Sequence, residues 1–240
     1  MIQTDNKNNC IAIICAMKAE LDSIINILGI QTTTIINGNF TYQTANYHNK
    51  QLVFLLCGIG KVNATIHTQY IIDHKTPDLV INVGVAGGLS ADLNFGDVVV
   101  ATDLVYHDFD LTAFNLPLGQ VSGMDVFAFP CDKKLVEIAK TTPITEYKIT
   151  SGRIVTGDQF IDDINKVTML HNQFNAIACE MEGAAVAHTC YTNKIPFVVI
   201  RALSDMAGQH GTKALHSFNE LKHMAADRSS TIVKHLVQLV

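Results

Sequence analysis

Positive charge is scarce in this chain. Only 17 of its 240 residues are lysine or arginine, against 22 aspartates and glutamates, which gives a net charge of −5. The three arginines, Arg153, Arg201 and Arg228, are far apart in the sequence. Proteins that bind nucleic acids rely on clustered cations, and no such cluster is present. We therefore expect neither a polynucleotide nor an anionic membrane as a partner.

Long apolar runs and paired cysteines are also missing. The N-terminal segment lacks the apolar core of a secretory signal, and no run approaches the ~18 apolar residues of a membrane span. With 48% hydrophobic residues, 15 glycines and 5 prolines, the chain is neither disordered nor fibrous. No C-x-x-C pair supports a zinc site, so we expect buried free thiols and a cytoplasmic protein. The six cysteines are Cys10, Cys15, Cys57, Cys131, Cys179 and Cys190.

What is present is an alternation of short apolar runs with amphipathic stretches. The runs predict buried strands at Cys10–Cys15, Gln51–Cys57, Asp78–Gly84, Asp97–Leu104, Lys148–Val155, Ala176–Cys179 and Pro196–Leu203. Helices are predicted at Lys18–Leu28, Val62–Asp73, Asp163–Gln173, through His188, and from Ser217 to Val240. No linker or repeat interrupts this order. The pattern predicts one α/β domain over residues 1–240, with a parallel or mixed central sheet flanked by helices.

Several common catalytic motifs can be excluded. There is no G-x-S-x-G elbow, no H-E-x-x-H pair and no complete phosphate-binding loop of the Walker type. Gly58-Ile-Gly60 follows a predicted strand and resembles part of a dinucleotide fingerprint, but Asn63 replaces its third glycine, and a tight turn is the simpler interpretation. The side chains of the adjacent residues His107 and Asp108 are expected to point to opposite faces of a strand, which favours structural roles over joint binding of a metal.

Acidic residues follow three of the predicted strands. Glu20 comes after the first strand, Glu180 and Glu182 come after Ala176–Cys179, and Asp205 comes after the last strand. Ligands of open α/β sheets bind beyond the carboxyl ends of the strands. Each acid has a plain alternative, because a carboxylate in a first helical turn also complements the helix dipole. Several carboxylates on one edge repel each other, however, and such repulsion is typical of a functional site.

A glycine cluster, Gly84 to Gly88, is predicted at the same edge, where backbone could approach a ligand closely. A phosphate clamp usually adds arginine. Arg201 lies inside an apolar strand and, if buried, needs a carboxylate partner, for which Glu182 is the natural candidate. These residues together favour a polar but uncharged ligand.

The motifs in this order resemble the 5′-methylthioadenosine/S-adenosylhomocysteine nucleosidases of the nucleoside phosphorylase superfamily. The resemblance extends from Ile11 to the last helix. It rests on Ala16-Met17-x-x-Glu20, Gly58-Ile-Gly-Lys-Val62, Val85-Ala-Gly-Gly88, His107-Asp-x-Asp-Leu-Thr-Ala-Phe114, Gly157-Asp-Gln-Phe-Ile161, Glu180-Met-Glu-Gly183 with Ala187-His188, and Arg201-Ala-Leu-Ser-Asp205. It implies a nucleoside phosphorylase-like fold and a hydrolase that cleaves the bond between adenine and ribose in 5′-thioadenosines.

The resemblance also implies catalytic roles. Glu20 matches the residue that activates the attacking water, and Asp205 matches the general acid that protonates N7 of adenine, with Ser204 orienting it. Arg201 matches an arginine that supports the acidic cluster. Since an ordinary aspartate has a pKa near 3.9, burial and neighbouring acids must raise the pKa of Asp205, while Glu20 must stay ionised.

Binding roles follow from the same resemblance. Glu182 matches the acid that binds the ribose hydroxyls, and Met181 packs on the sugar. Phe160 is expected to stack on the purine, the backbone of Ile161 to read its edge, and Phe218 to line the pocket for the 5′-alkylthio group. The remaining residues expected at the substrate are Val85, Ala86, Gly87 and Glu180.

The resemblance further implies a homodimer and no cofactor or metal. The segment Leu111–Pro117 is expected to reach the partner's ligand pocket, so that Phe114 contributes to the site of the other subunit. Apolar Leu116 and Leu118 in this loop would be unusual on the surface of a monomer. The alternative is a loop that folds over its own core.

Three other functions remain open from the sequence. Some proteins with a similar site hydrolyse 6-amino-6-deoxyfutalosine. A purine nucleoside phosphorylase would use phosphate in place of water and would need a cationic site, which three arginines hardly provide. A non-catalytic nucleoside-binding protein would have little reason to keep Glu20, Glu182 and Asp205 together.

Overall fold

The computed structural model describes residues 9–207 and 212–240, with the side chains of the last helix described from residue 221. Ten strands form one mixed sheet. They are β1 (Cys10–Cys15), β2 (Thr33–Asn37), β3 (Phe40–Tyr47), β4 (Lys50–Leu56), β5 (Leu79–Gly88), β6 (Val98–Tyr106), β7 (Phe129–Pro130), β8 (Ile149–Thr156), β9 (Ala176–Glu180) and β10 (Phe197–Met206). The expected mixed α/β architecture is confirmed; the domain boundaries 1–240 stay an expectation.

Six helices cover the sheet along the described chain: α1 (Lys18–Leu28), α2 (Lys61–Lys75), α3 (Lys133–Lys140), α4 (Ile164–Phe174), α5 (Gly183–Asn193) and α6 (Thr212–Leu239). Helix α1 packs against α6, which also covers β5 and β10, and α2 packs against α5. Within the described residues, no helix is long and apolar enough to cross a membrane.

The central strands are apolar on both faces because helices lie on both sides. All six residues of β1 are buried, and β1 pairs in parallel with both β4 and β5. Burial on two faces explains why these strands read as continuous apolar runs rather than as alternating patterns.

The sheet also closes on itself. Strand β5 pairs in parallel with β10 and, near its end, antiparallel with β9. Strands β6 and β8 connect β10 to β9, so β5, β10, β6, β8 and β9 form a closed ring of strands. Strand β9 runs opposite to β5, yet its last residues lie beside Gly87, where Cys179 is the paired residue. This closure brings Glu180 and Glu182 to the same place as Glu20 and Asp205.

Two features differ from the sequence-based expectation. The strand predicted to end at Gly84 continues to Gly88, so the glycine cluster lies within β5 rather than in a loop. The hairpin of β2 and β3 and the helix α3 were not predicted at all. Strand β2 is mostly exposed and lies at the edge of the sheet, so it lacks the apolar run that marks the other strands.

Candidate active site

A cavity of about 420 Å³ opens where β1, β5, β9 and β10 end. Its wall contains four carboxylates and several apolar side chains. The sequence-predicted site residues that line it are Glu20, Val85, Ala86, Gly87, Phe160, Ile161, Glu180, Met181, Glu182, Ser204 and Asp205. Ala16, Met17, Ile59, Gln159 and Cys179 line it as well. Four of these five fall within motifs of the sequence analysis, but nothing in their residue types alone indicates a binding role.

Glu20 is held as an acceptor of three backbone hydrogen bonds. It is the third residue of α1, and its Oε2 accepts from Met17 N–H at 2.9 Å and Ala16 N–H at 3.1 Å. Its Oε1 accepts from Val85 N–H at 3.2 Å. Burial raises the pKa of Glu20, and these N–H groups and the Arg201 guanidinium oppose that rise. Three donors aimed at one carboxylate favour its ionised form.

Asp205 has a different environment. It follows a β-bulge in β10, where the pairing with β5 shifts between Leu203 and Asp205. Bulges of this kind redirect side chains near active sites. Asp205 is 3% exposed, and Ser204 Oγ donates to its Oδ1 at 2.9 Å. Burial raises the pKa of Asp205 to about 6, against the lowering effect of Ser204. The expected rise in the pKa of Asp205 is present, but burial causes it rather than the neighbouring acids.

Glu182 and Glu180 differ in what they contact. Glu182 accepts a hydrogen bond from Gly60 N–H at 2.7 Å, and burial next to Glu180 raises its pKa to about 7. Glu180 is occupied on both oxygens: it accepts from Thr156 Oγ1, from the N–H groups of Glu182 and Gly183, and from Arg201 Nη2 at 2.6 Å. The Glu180 carboxylate thus fixes the start of α5.

Arg201 is 1% exposed and lies behind the cavity wall. Its Nη2 donates to Glu180 Oε2 and to Asn82 Oδ1, each at 2.6 Å, and Nη1 donates to Ile200 O at 3.1 Å. The expectation that Glu182 is its partner is wrong. Glu180 ends β9 with its carboxylate at hydrogen-bond distance from Arg201, whereas the backbone turns at Glu182 and carries that carboxylate toward Gly60.

The glycines of β5 make room for the carboxylates. A Cβ on Gly84 would lie 2.7 Å from Glu20 Oε1, and one on Gly87 would lie 3.1 Å from Asp205 Oδ2. The sequence analysis expected these glycines to admit a ligand. In the structure, the absence of a Cβ at Gly84 and Gly87 instead leaves space for the two acids that face the cavity.

Two further predicted residues are not among the described residues that line the cavity. Phe114 is 75% exposed in a short 3-10 helix, Thr112–Phe114, and does not line this chain's own cavity. Phe218 falls within α6, but its side chain is outside the described residues. All six cysteines are free and buried. In the part of the chain that the structure describes, no group of three or more His, Cys, Asp or Glu residues is arranged to hold a metal ion.

Comparisons with known proteins agree with this geometry. The family model for the phosphorylase superfamily matches residues 10–238. The 5′-methylthioadenosine/S-adenosylhomocysteine nucleosidase of Bacillus subtilis is 40% identical over 234 residues, which cover 96% of this chain and 99% of the relative.

Solved structures extend the comparison. The Neisseria meningitidis nucleosidase in complex with methylthio-immucillin-A superposes with a TM-score of 0.90 at 36% identity, covering 97% of this chain and all of that one. A futalosine hydrolase of Helicobacter pylori superposes with a TM-score of 0.91 at 33% identity, covering 96% of this chain and 98% of that one. This chain belongs to the phosphorylase superfamily and, within it, to the family of the 5′-methylthioadenosine/S-adenosylhomocysteine nucleosidases.

Proposed function

We propose that this protein hydrolyses the N-glycosidic bond of 5′-methylthioadenosine and S-adenosylhomocysteine, releasing adenine and the 5-thioribose product. The observation that carries the proposal is one cavity with two buried carboxylates that have different hydrogen-bond partners. Glu20 accepts three backbone hydrogen bonds, whereas Asp205 has a pKa of about 6. One is suited to act as a base and the other as an acid.

The first step is the departure of adenine. Adenine leaves poorly as an anion, so a proton must reach it while the bond between C1′ and N9 breaks. Protonated Asp205 delivers that proton to N7, and the bonding electrons pass to the purine. Ser204, which donates to Asp205, keeps the carboxyl group oriented. General acid assistance of this type is worth about 10²–10⁴-fold in rate.

The second step is the addition of water to the sugar. Loss of adenine leaves positive charge at C1′, and nearby carboxylates stabilise that charge. Glu20 accepts a proton from the water as its oxygen bonds to C1′, and Glu182 holds the ribose hydroxyls. The proton then passes from Glu20 through solvent back to Asp205, which restores both residues.

Apolar side chains hold the rest of the substrate. Phe160 is 47% exposed at the cavity mouth and stacks on the purine, while the backbone of Ile161 reads the purine edge. Met181 packs on the sugar. Arg201 acts from behind the wall through Glu180, and Phe218 remains a candidate for the 5′-alkylthio pocket. Aromatic and sulfur-containing walls of this kind suit a flat purine and a thioether.

Water rather than phosphate is the proposed nucleophile. The cavity wall carries Glu20, Glu180, Glu182 and Asp205, and the guanidinium of Arg201 is already paired. A phosphate dianion at this wall would be repelled by ionised Glu20 and would find no unpaired guanidinium among the described lining residues. Adenine release from 5′-methylthioadenosine is therefore expected to be independent of added phosphate and to produce free sugar. Formation of a ribose 1-phosphate product, or a requirement for phosphate, would contradict the proposal.

A related substrate has specific support. Two Helicobacter pylori structures similar to this one are described as futalosine hydrolase, the second at 32% identity and a TM-score of 0.90. We include 6-amino-6-deoxyfutalosine as the second candidate substrate. Relative kcat/KM for 5′-methylthioadenosine, S-adenosylhomocysteine, 5′-deoxyadenosine and 6-amino-6-deoxyfutalosine decides between them, and a preference of more than tenfold for the last would reverse the assignment.

We also propose that the protein is a homodimer in which Phe114 contacts the ligand of the partner subunit. Apolar side chains are exposed at the start of α2 and in its first turns: Ile59 at 55%, Val62 at 68% and Ile66 at 48%, together with Phe114. Contiguous exposed apolar residues indicate an interface. Sedimentation that gives a monomer at micromolar concentration would contradict this. A cytoplasmic location belongs to the same proposal and fits six reduced thiols.

A further inference from the structure

Lys61, Asp108 and Asp158 form an ionic cluster beside the cavity that the proposed mechanism does not use. Lys61 Nζ lies 2.6 Å from both Oδ1 and Oδ2 of Asp108 and 3.8 Å from Asp158 Oδ2. Burial alone would raise the pKa of Asp108, but the hydrogen bonds from Lys61 and from Asp158 N–H hold it below its ordinary value. The three side chains come from three separate segments of the chain.

Backbone hydrogen bonds close this cluster into a ring. Asp158 N–H donates to Asp108 Oδ2 at 2.9 Å, and Lys61 N–H donates to Asp158 Oδ1 at 2.8 Å. Asp158 thereby caps the N-terminus of α2, and the bond from Lys61 Nζ to the Asp108 carboxylate closes the ring. The ring ties together the turn before α2, the loop after β6 and the loop after β8.

The first connection to the substrate site is through Gly60. Gly60 immediately precedes Lys61, and its N–H donates to Glu182 Oε1 at 2.7 Å. A Cβ on Gly60 would lie 3.2 Å from Asp158 Oδ1, so this turn packs directly on the ring. The position of the Gly60 N–H, and with it the orientation of Glu182, depends on where Lys61 and Asp158 hold the turn.

The second connection is through the loop after β8. Asp158 is two residues before Phe160 and three before Ile161, and both of these line the cavity. The ring fixes Asp158 by its backbone and by its side chain. The backbone that carries Phe160 and Ile161 is therefore fixed at Asp158, just before these two residues.

We propose that Lys61, Asp108 and Asp158 are positioning residues for substrate binding, which hold Glu182 and Phe160 in the geometry that receives the sugar and the purine. The inference rests on the proposed nucleosidase function. The alternative is a surface ion pair with little effect, as many exposed pairs are. The side chains of Lys61 and Asp108 are only 23% and 16% exposed, which distinguishes them from such pairs.

The test compares Lys61→Met and Asp108→Asn with Lys140→Met, which removes a surface lysine paired with Glu137 on α3. Since Glu182 and Phe160 bind the sugar and purine throughout the reaction, loss of their positioning is expected to raise KM by about tenfold or more with a smaller change in kcat. A merely structural role lowers the amount of folded enzyme, so it reduces kcat and leaves KM unchanged. The control is expected to match the wild type in both.

The double variant and one milder variant complete the design. Because both residues act through one ring, Lys61→Met with Asp108→Asn should raise KM no more than the larger single effect. Asp158→Ala changes a half-exposed side chain, which protects folding, and should also raise KM. A KM change below about threefold in all single variants, whatever kcat does, or single effects that multiply in the double variant, overturns the proposal.

Calorimetric titration with adenine separates this inference from the proposed function, because it needs no turnover. Weaker adenine binding by about tenfold in Lys61→Met supports the positioning role, and unchanged adenine binding counts against it. A wild-type protein that binds adenine but hydrolyses none of the nucleosides contradicts the nucleosidase proposal and leaves the positioning result to be judged on adenine affinity.

Discussion

Two walls of the same cavity each hold a buried carboxylate, but with different hydrogen-bond donors. On the α1 side, Glu20 is 2% exposed and accepts three backbone N–H groups. On the β10 side, Asp205 is 3% exposed and, among the described residues, accepts from the hydroxyl of Ser204. Burial raises the pKa of both acids, and at Glu20 the three N–H groups and the Arg201 guanidinium oppose that rise, whereas at Asp205 the Ser204 hydroxyl does. Within the part of the chain that the structure describes, the hydrogen-bond donors and the nearby guanidinium, rather than exposure, distinguish Glu20 from Asp205.

Strand β5 lies between the two walls, and its glycines contact both acids. Gly84 and Gly87 of β5 lie against Glu20 and Asp205, and neither leaves room for a Cβ without displacing a carboxylate or its neighbours. The contact at Gly84 is the tighter of the two, at 2.7 Å against 3.1 Å. An added Cβ is therefore expected to disturb Glu20 more than Asp205.

The largest effect is expected from removing the acid. Asp205→Asn keeps the shape of the side chain but has no acidic proton to donate, so kcat should fall by about 10²–10⁴-fold while substrate still binds. Adenine release in a single turnover measures the first quantity, and calorimetry with 5′-methylthioadenosine measures the second. Asp22→Asn, in an exposed pair with Lys18, is the matched control. A kcat within threefold of wild type would remove Asp205 from the mechanism.

A second change targets the base without touching it. Gly84→Ala places a methyl group against Glu20 Oε1 and should lower kcat/KM by about 10²-fold, because the carboxylate must move. Gly152→Ala is the control, since its Cβ would meet Ile177 Cδ1 at 2.6 Å and neither residue is among those that line the cavity. Both variants should lose thermal stability. Equal losses of kcat/KM in the two would mean that general destabilisation, not Glu20, explains the effect.

A third prediction concerns stability and pH. Burial raises the pKa of Asp205 from its ordinary value of about 3.9 to about 6, so the folded state loses stability as the pH rises from about 4 to about 6, and the loss is complete above pH 6. At about 1.36 kcal/mol per pKa unit, ionised Asp205 costs on the order of 3 kcal/mol. Asp205→Asn should therefore gain several degrees in Tm relative to wild type at pH 7.5 and little at pH 4.

Differential scanning calorimetry of the two proteins at those pH values provides the measurement. Other titrating groups are shared, so they cancel in the difference. A Tm difference that does not grow with pH would mean that Asp205 has an ordinary pKa in the folded protein.

The smallest expected effect is at Ser204. Its hydroxyl lowers the pKa of Asp205, so Ser204→Ala should move the alkaline limb of the kcat/KM profile to higher pH by up to about one unit, the value of one hydrogen bond. The profile of kcat/KM reports the free enzyme. A limb that stays in place, or moves down, would show that Ser204 does not set this pKa.

Much of the site could be predicted from the sequence because strand ends are marked by composition. The apolar run Cys10–Cys15 places Glu20 at the edge of the sheet, and the run before Asp205 does the same. The number of donors at each acid could not be predicted, because two of the three N–H groups on Glu20 come from a local turn and the third comes from Val85, 65 residues later.

The partner of Arg201 also could not be predicted from the sequence. Glu180 and Glu182 are two residues apart, and alternation along a strand would point both to the same side. The strand ends at Glu180, however, and the turn that follows sends Glu182 to Gly60. Contacts between distant segments decide such cases, as they do for the ring of Lys61, Asp108 and Asp158.

The division of labour between Glu20 and Asp205 is tested most directly by changing the leaving group. A 4-nitrophenyl 5-methylthioriboside has a leaving group that needs no protonation, while its sugar still needs an activated water. Asp205→Asn is predicted to hydrolyse it at a rate close to that of wild type, and Glu20→Gln is predicted to lose activity on this substrate and on 5′-methylthioadenosine alike. Equal loss of aryl riboside hydrolysis in both variants would contradict the account.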